Sequence, residues 1–264
     1  AWGTAVGISL ASRHRVSLWV RDPDQYAAMA SARRNERYLP GFALPADLVP
    51  TGDFGRAVGD SELVLVATST AGLRETLRRL RGAQCAAPVV WLCKGFERQH
   101  AKLPHQVCAE ELGAGVRCGV LSGPSFAEEV ARGLPTAVTL ASTDGAFARE
   151  AAQQIHSTTL RVYSSDDVTG VEVAGAVKNI IAIAAGICDG LGLGLNARAA
   201  LITRGLAEMT RLGVTLGGRP ETFMGLAGAG DLILTCTGDL SRNRRVGLSL
   251  ARGIALDGIL AQLG

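Results

Sequence analysis

The 264-residue chain is poor in aromatic residues, at 5%, and has only three lysines, Lys94, Lys102 and Lys178, among its 27 basic residues. A formal net charge of +3 is too small to argue for nucleic acid as a partner. The longest unbroken apolar run in the middle of the chain, Ile180 to Cys188, reaches about half a membrane span, so no membrane insertion is expected. The opening AWGTAV has neither a basic start nor a long apolar core, and no signal peptide is expected. The six cysteines form no CxxC, which favours buried free thiols in a reducing cytoplasm over a disulfide framework or a zinc site. The four histidines are scattered, and His100 and His105, with no cysteine or carboxylate at ligand spacing, read as surface residues; no metal site is expected.

What is present is an ordinary globular composition, 47% hydrophobic and 19% charged, at a length that allows one large domain or two ordinary ones. Apolar strand-like runs at 16–20, 62–68, 88–93, 117–122 and 135–142 alternate with helical patterns such as DPDQYAAMASARRNERYL, AGLRETLRRLRG and KLPHQVCAEELG. That alternation predicts a parallel, doubly wound sheet covered on both faces. After RVYSSDD the strands stop. Helices are predicted from about Val168 to Gly190 and from about Asn196 to Leu216, the latter with an apolar stripe of Ile202, Leu206, Met209 and Leu212. A Gly-rich turn, GLAGAGD, a short segment LILTCTG and a last helix beginning near Ser241 follow. The division is an α/β domain over 1–165 and an all-α domain over 166–264, with the cleft between them as the default ligand site.

The start of the chain reads as the end of a glycine loop. Only Gly3 could belong to the G-x-G-x-x-G of a dinucleotide fold; helix, strand and the charged pair Arg21-Asp22 then follow at the distance where such folds read the adenosine ribose. Arg21 could hold a 2′-phosphate; Asp22 could accept from ribose hydroxyls; a charge pair facing water is the plainer alternative. An arginine-rich chain that keeps a few lysines raises a further possibility. At those sites an ammonium able to release its proton is needed, although chance retention explains any single one equally well.

Several segments together resemble the bacterial NAD(P)-dependent glycerol-3-phosphate dehydrogenases: AWGTA, LWVRDP, CKGFE, SGPSFAEEVARGLPTAV, GAVKNIIAIAAGICDGLGLGLNARAALITRGLAEM and FMGLAGAGDLILTCTGDLSRNRRVG, in that family's order and over nearly the whole chain. The resemblance implies a Rossmann-like sheet followed by an all-α domain, NADP or NAD as cofactor, and a homodimeric cytoplasmic enzyme. It implies cofactor contacts at Ala1, Trp2, Gly3, Arg21, Lys94, Ala127 and Arg242. Substrate contacts are implied at Lys94, Gly123, Ser125, Lys178, Asp231, Ser241, Arg242 and Asn243, and Asn179 and Thr235 match polar neighbours of the site in related eukaryotic enzymes. Lys178 matches the proton-transferring lysine. The family's first strand, its first two loop glycines and its C-terminal helical stretch have no counterpart in the sequence.

Elementary chemistry bears on these positions. Lys178 lies in a helix apolar nearly all round, where an ammonium is costly unless it is paired, with Asp231 or Glu172, or its pKa falls toward the range of a general acid or base. Asp231 would orient Lys178 or a substrate hydroxyl, and Lys94 would hold the carbonyl oxygen or steer the phosphate. Ser241-Arg242-Asn243 offers a hydroxyl, a guanidinium fork and an amide to a phosphate dianion. Its plainer reading is a serine cap before a solvated Arg-rich turn, with Arg244 and Arg245 as that solvated face. Gly123-Pro124-Ser125 could bring backbone N–H and a hydroxyl to the ligand or simply cap a helix. The expected reaction interconverts dihydroxyacetone phosphate and glycerol 3-phosphate, supplying the latter for phospholipid synthesis. The alternatives are a 3-hydroxy acid dehydrogenase of similar architecture and a non-catalytic dinucleotide-binding module.

Overall fold

The computed structural model describes residues 1–113 and 115–263. The chain folds as two compact units, residues 1–121 with 125–166, and residues 122–124 with 167 onward.

The first unit runs α1 (Trp2–Leu10), β1 (Val16–Trp19), α2 (Pro23–Ala32), β2 (Arg34–Asn35), β3 (Leu39–Ala43), β4 (Leu48–Thr51), α3 (Phe54–Val58), β5 (Val64–Val66), α4 (Thr70–Gly82), β6 (Val89–Trp91), α5 (Pro104–Leu112), β7 (Cys118–Ser122), α6 (Ala127–Ala131), β8 (Thr136–Ala141), α7 (Gly145–Ile155) and β9 (Leu160–Ser165). Strands β5 to β9 form one sheet in sequential order, β1 pairs with β4 in parallel, and β2 with β3 antiparallel. The pairs β5–β6, β6–β7 and β8–β9 are parallel. Ser142 Oγ donates to the Cys118 carbonyl at 2.6 Å and Gly119 abuts the Ala141 carbonyl, which puts the start of β7 beside the end of β8. The sheet expected to be parallel throughout is therefore mixed at that pair. Val89, Val90 and Trp91 of β6 are all buried, as a strand covered on both faces requires. Val6 of α1, Leu121, Val138, Leu140, Phe147 and Ile155 join β6 in one core.

Helix ends in this unit follow local chemistry. Asp22, Asp53 and Asp144 accept backbone N–H groups at the starts of α2, α3 and α7. The DPDQYAAMASARRNERYL pattern is helical only to Ala32. Arg33 turns left-handed, and Arg34 and Asn35 become β2 because the buried Asn35 amide bonds Thr4 Oγ1 at 2.8 Å and Gln25 Nε2 at 3.0 Å. Tertiary hydrogen bonds outweigh local propensity here. The three short strands between residues 34 and 51 carry little apolar alternation, which is why the sequence did not announce them.

The second unit is helical: α8 (Val168–Gly190), α9 (Gly194–Thr215), α10 (Pro220–Met224), a π-helical turn (Leu226–Gly230), α11 (Asp231–Thr237), α12 (Arg242–Ala251) and α13 (Leu256–Leu263). The expected Gly-rich turn and short LILTCTG segment are thus a π-helical turn running directly into a helix, and one more helix follows the expected last one. Asp167 caps α8 at Gly170 N and also accepts from Arg219 N at 2.9 Å and from Thr222 Oγ1, pinning α10 to the α8 start. α8 is long and apolar enough to cross a membrane by length and composition, with 67% of its most apolar window buried inside the fold. Counting only unbroken apolar runs overlooked it, because Glu172 and Lys178 interrupt the pattern. α8 and α12 pack backbone to backbone: side chains on Gly186 or Gly247 would overlap the Arg244 and Ile183 carbonyls.

Candidate active site

The second unit gathers most of the polar residues singled out above. Lys178 is in the middle of α8, and its side chain is 8% exposed. Opposite it, the π-helical turn delivers Asp231 as the first residue of α11, and Thr235 follows one turn later on the same face. Gly228 is needed in that turn, since a side chain there would collide with the Phe223 backbone. Lys178 Nζ donates to Asp231 Oδ1 at 2.5 Å and to Thr235 Oγ1 at 3.1 Å. The Thr235 hydroxyl donates in turn to the Asp231 carbonyl at 2.6 Å, so its oxygen is oriented to accept from Lys178. Asp231, one of the two expected partners, is thus within hydrogen-bond distance of the ammonium. Two opposite charges taken out of water offset each other here, which a lone ammonium in this helix could not achieve.

Cys236, next to Thr235, is fully buried, and burial pushes its thiol up to about 11. That shift keeps the thiol, not the thiolate, as its form at neutral pH. All six cysteines are free. Among the described residues no group of three His, Cys, Asp or Glu is placed to hold a metal ion.

One helical step beyond Lys178, Asn179 Oδ1 accepts from Asn243 Nδ2 at 2.7 Å, tying α8 to the first turn of α12. Ser241 is buried and caps α12, accepting from Arg244 N at 3.2 Å, while Arg242 is exposed. The solvated face expected of Arg244 is a misreading. Its side chain is 14% exposed and its Nε and Nη2 both meet Asp189 Oδ2 at 2.8 Å, with Nη1 on Asp239 at 2.9 Å. Arg198 Nη1 also meets Asp189, at 3.0 Å. Nothing local in SRNRR distinguishes Arg244 from its neighbours; the acid that claims it is 55 residues away. Gly123, buried with φ +147°, belongs to the same unit.

The first unit holds the other set. Ala1, Trp2 and Gly3 open α1, Arg21 follows β1, Lys94 follows β6, and Ser125 and Ala127 lie at the start of α6. The cap of α6 is Phe126, so Ser125 is not the simple capping serine of the plainer reading. Asp22, proposed as a ribose acceptor, is engaged otherwise: it accepts from Asp24 N and Gln25 N, and Arg37 pairs with it at 3.3 Å. Those backbone donors hold its carboxyl below the usual carboxylate range. His100 is not a bare surface residue either, since its Nδ1 lies 2.9 Å from Glu97 Oε2. Glu97 precedes it by only three residues, so a carboxylate does stand at ligand spacing from this histidine.

The packing at Gly3 is that of a dinucleotide-binding loop. A side chain on Gly3 would stand 2.7 Å from Ala67 Cβ, the close helix-to-strand packing for which the fold's last loop glycine is required. Just beyond β5, the Thr68 hydroxyl is buried with no hydrogen-bond partner, a polar group awaiting one from a ligand or water. Ser122 Oγ, at the end of β7, is in the same condition. Sequence reasoning missed both, because an unsatisfied hydroxyl is visible only once its surroundings are folded.

Comparison with known proteins agrees with this layout. Residues 1–148 match the family model of the NAD-dependent glycerol-3-phosphate dehydrogenase N-terminus, and residues 167–264 that of its C-terminus. The chain is 60% identical over 264 residues to glycerol-3-phosphate dehydrogenase [NAD(P)+] of Dechloromonas aromatica, covering all of this chain and 80% of that protein. It is 62% identical over 268 aligned residues to the protein of the same name from Nitrosospira multiformis, with the same coverage. A crystal structure of glycerol-3-phosphate dehydrogenase from Coxiella burnetii superimposes with a TM-score of 0.96 at 43% identity, over 100% of this chain and 81% of that one.

Proposed function

Because the chain belongs to the NAD-dependent glycerol-3-phosphate dehydrogenase family, we propose that Lys178 is the proton-transferring group of its reaction, the NAD(P)-linked interconversion of dihydroxyacetone phosphate and glycerol 3-phosphate. The observation that carries this is the buried Lys178–Asp231–Thr235 arrangement, with Nζ held at 2.5 Å and 3.1 Å from its two partners. The nicotinamide cofactor, when bound, supplies the hydride to the central carbon or removes it. In reduction the Lys178 ammonium gives a proton to the developing alkoxide; in oxidation the amine takes the hydroxyl proton. Asp231 offsets the ammonium's charge while Thr235 fixes its direction.

The remaining roles extend the same reading. Ala1, Trp2, Gly3, Arg21, Lys94 and Ala127 would hold the dinucleotide, with Arg21 favouring a 2′-phosphate. Ser241, Arg242 and Asn243 would receive the substrate phosphate. Arg242 would also contact the cofactor. Gly123, Ser125, Asn179 and Lys94 would complete the substrate contacts. The first unit thus acts as the dinucleotide-binding domain and the second as the catalytic domain; the expected bounds 1–165 and 166–264 shift only in that residues 122–124 join the second unit and Asp166 the first. The product serves phospholipid synthesis, and the working enzyme is a cytoplasmic homodimer that does not insert into membranes.

The test is oxidation of NADPH by dihydroxyacetone phosphate in the full chain and in Lys178→Met. Loss of about 10²–10⁴-fold in kcat with little change in cofactor affinity is expected; equal rates in the two proteins would remove Lys178 from the reaction.

A further inference from the structure

Asp189 occupies the last turn of α8, where the exposed carbonyl ends of the helix disfavour a carboxylate. It is nevertheless a hub. Arg244 reaches its Oδ2 twice at 2.8 Å, Arg198 Nη1 lies 3.0 Å from the same oxygen, and the Asp189 side chain is 13% exposed. Placing an acid against the helix dipole and surrounding it with two guanidiniums serves a purpose that α8 alone does not need.

That purpose follows from helical geometry. Residues two apart on an α-helix differ by about 200° around its axis. A first turn carrying Arg242, Arg244 and Arg245 could rotate to offer any of them to a ligand. Asp189 and Asp239 engage Arg244, so Arg242 stays on the other side, exposed. Two further contacts hold the turn at that angle: the Asn243–Asn179 hydrogen bond at 2.7 Å and the glycine crossing, where Gly186 leaves room for the Arg244 carbonyl. Asn179 adjoins Lys178, so the same helix that carries the proton-transferring amine also sets the angle of the turn.

We infer that Asp189 and Arg244 are positioning residues for substrate phosphate: their ion pair fixes the rotation of the first α12 turn so that Arg242, not Arg244, meets the phosphate. The inference rests on the proposed role of Ser241–Asn243 and adds to it two residues that touch neither substrate nor cofactor.

The experiment compares the full chain with Asp189→Asn, Arg244→Lys and Arg242→Ala, using dihydroxyacetone phosphate and unphosphorylated dihydroxyacetone as substrates, with thermal melting as a check on folding. Asp189→Asn is expected to raise KM for dihydroxyacetone phosphate about tenfold, with kcat and the KM for NADPH within about twofold. Arg244→Lys, which keeps the charge but not the fork, should give a smaller rise, and turnover of dihydroxyacetone should be unchanged in both. A KM for dihydroxyacetone phosphate unmoved in both clamp variants overturns the inference. So does an equal loss toward the two ketones accompanied by a lowered melting temperature. Should Asp189→Asn not fold, Arg244→Lys decides by the same criteria. Arg242→Ala separates the two levels: if it leaves KM unchanged, the phosphate role of the turn fails and the clamp with it. If it raises KM while the clamp variants do not, only the clamp fails.

Discussion

Two buried ionic clusters, Arg74 with its carboxylates in the first unit and Lys178 with Asp231 in the second, are built on different cations. In the first unit Arg74 on α4 spreads its guanidinium over three carboxylates: Glu97 at 2.5 and 2.9 Å, Glu111 at 2.7 Å and Glu110 at 2.9 Å. Arg78 adds to Glu111, and Lys102 pairs with Glu110. The cluster ties α4 to α5 and to the loop after β6. It drives the Arg74 pKa upward and holds the Glu97 carboxyl down at about 2, chiefly through Arg74 itself. In the second unit a single lysine meets Asp231 and Thr235. A guanidinium never releases its proton near neutral pH and its rigid fork matches several carboxylates at once, whereas an ammonium is a compact charge that can give a proton up. The difference teaches that a buried ion pair can be a clamp or a proton source, and that the choice of cation separates the two in a chain whose basic residues are nearly all arginine.

The sharpest way to break the contrast is to exchange the cations. Lys178→Arg keeps the positive charge beside Asp231 but removes the transferable proton. A fall in kcat of about 10²-fold or more is expected at saturating substrate, and a rate near that of the unmodified chain would erase the distinction. Next in size, Arg74→Leu strands buried carboxylates, and urea unfolding should show a loss of about 3–5 kcal/mol. The surviving folded fraction should turn over normally; loss of kcat would make that cluster more than a clamp.

A pH series sharpens the same point. The Glu97 carboxyl is depressed in the folded chain from 4.5 to about 2, so its contribution is fully present above pH 4.5 and is lost as pH falls toward 2. Melting temperatures measured across that window should drop less steeply in Glu97→Gln than in the unmodified chain; parallel curves would show that Glu97 carries none of the acid sensitivity. The smallest effect belongs to Lys102→Gln. Its ammonium is a third exposed and pairs with a glutamate that water reaches freely, so urea unfolding should show little or no change. A larger loss would mean that the rim of the cluster matters as much as its centre.

Much of this was legible in the residues. The bounds expected for α8, about Val168 to Gly190, are those observed, because an Asp cap and a helix apolar nearly all round are local signals. All five expected strand runs are strands, but the run at 16–20 is β1, which pairs with β4 outside the five-stranded sheet, and the sheet's last strand, β9, was not among them. The site was legible mainly through its resemblance to known enzymes. The physical pattern alone left Lys178 with two candidate partners and left Arg244 in solvent. The π-helical turn that presents Asp231 was written as a flexible-looking GLAGAG, whose helical character depends on close packing against Phe223.

The amino-acid order by itself determined the long helices, the main apolar strands and which lysine is sunk in an apolar helix, because period, caps and glycines act within a few residues. Only the tertiary structure decided that Asp231 meets Lys178's amine, that Arg34 and Asn35 leave helix for strand, and which arginine of SRNRR turns inward. Those choices are made by partners tens of residues away, and a short-range pattern contains no information about which distant group will arrive.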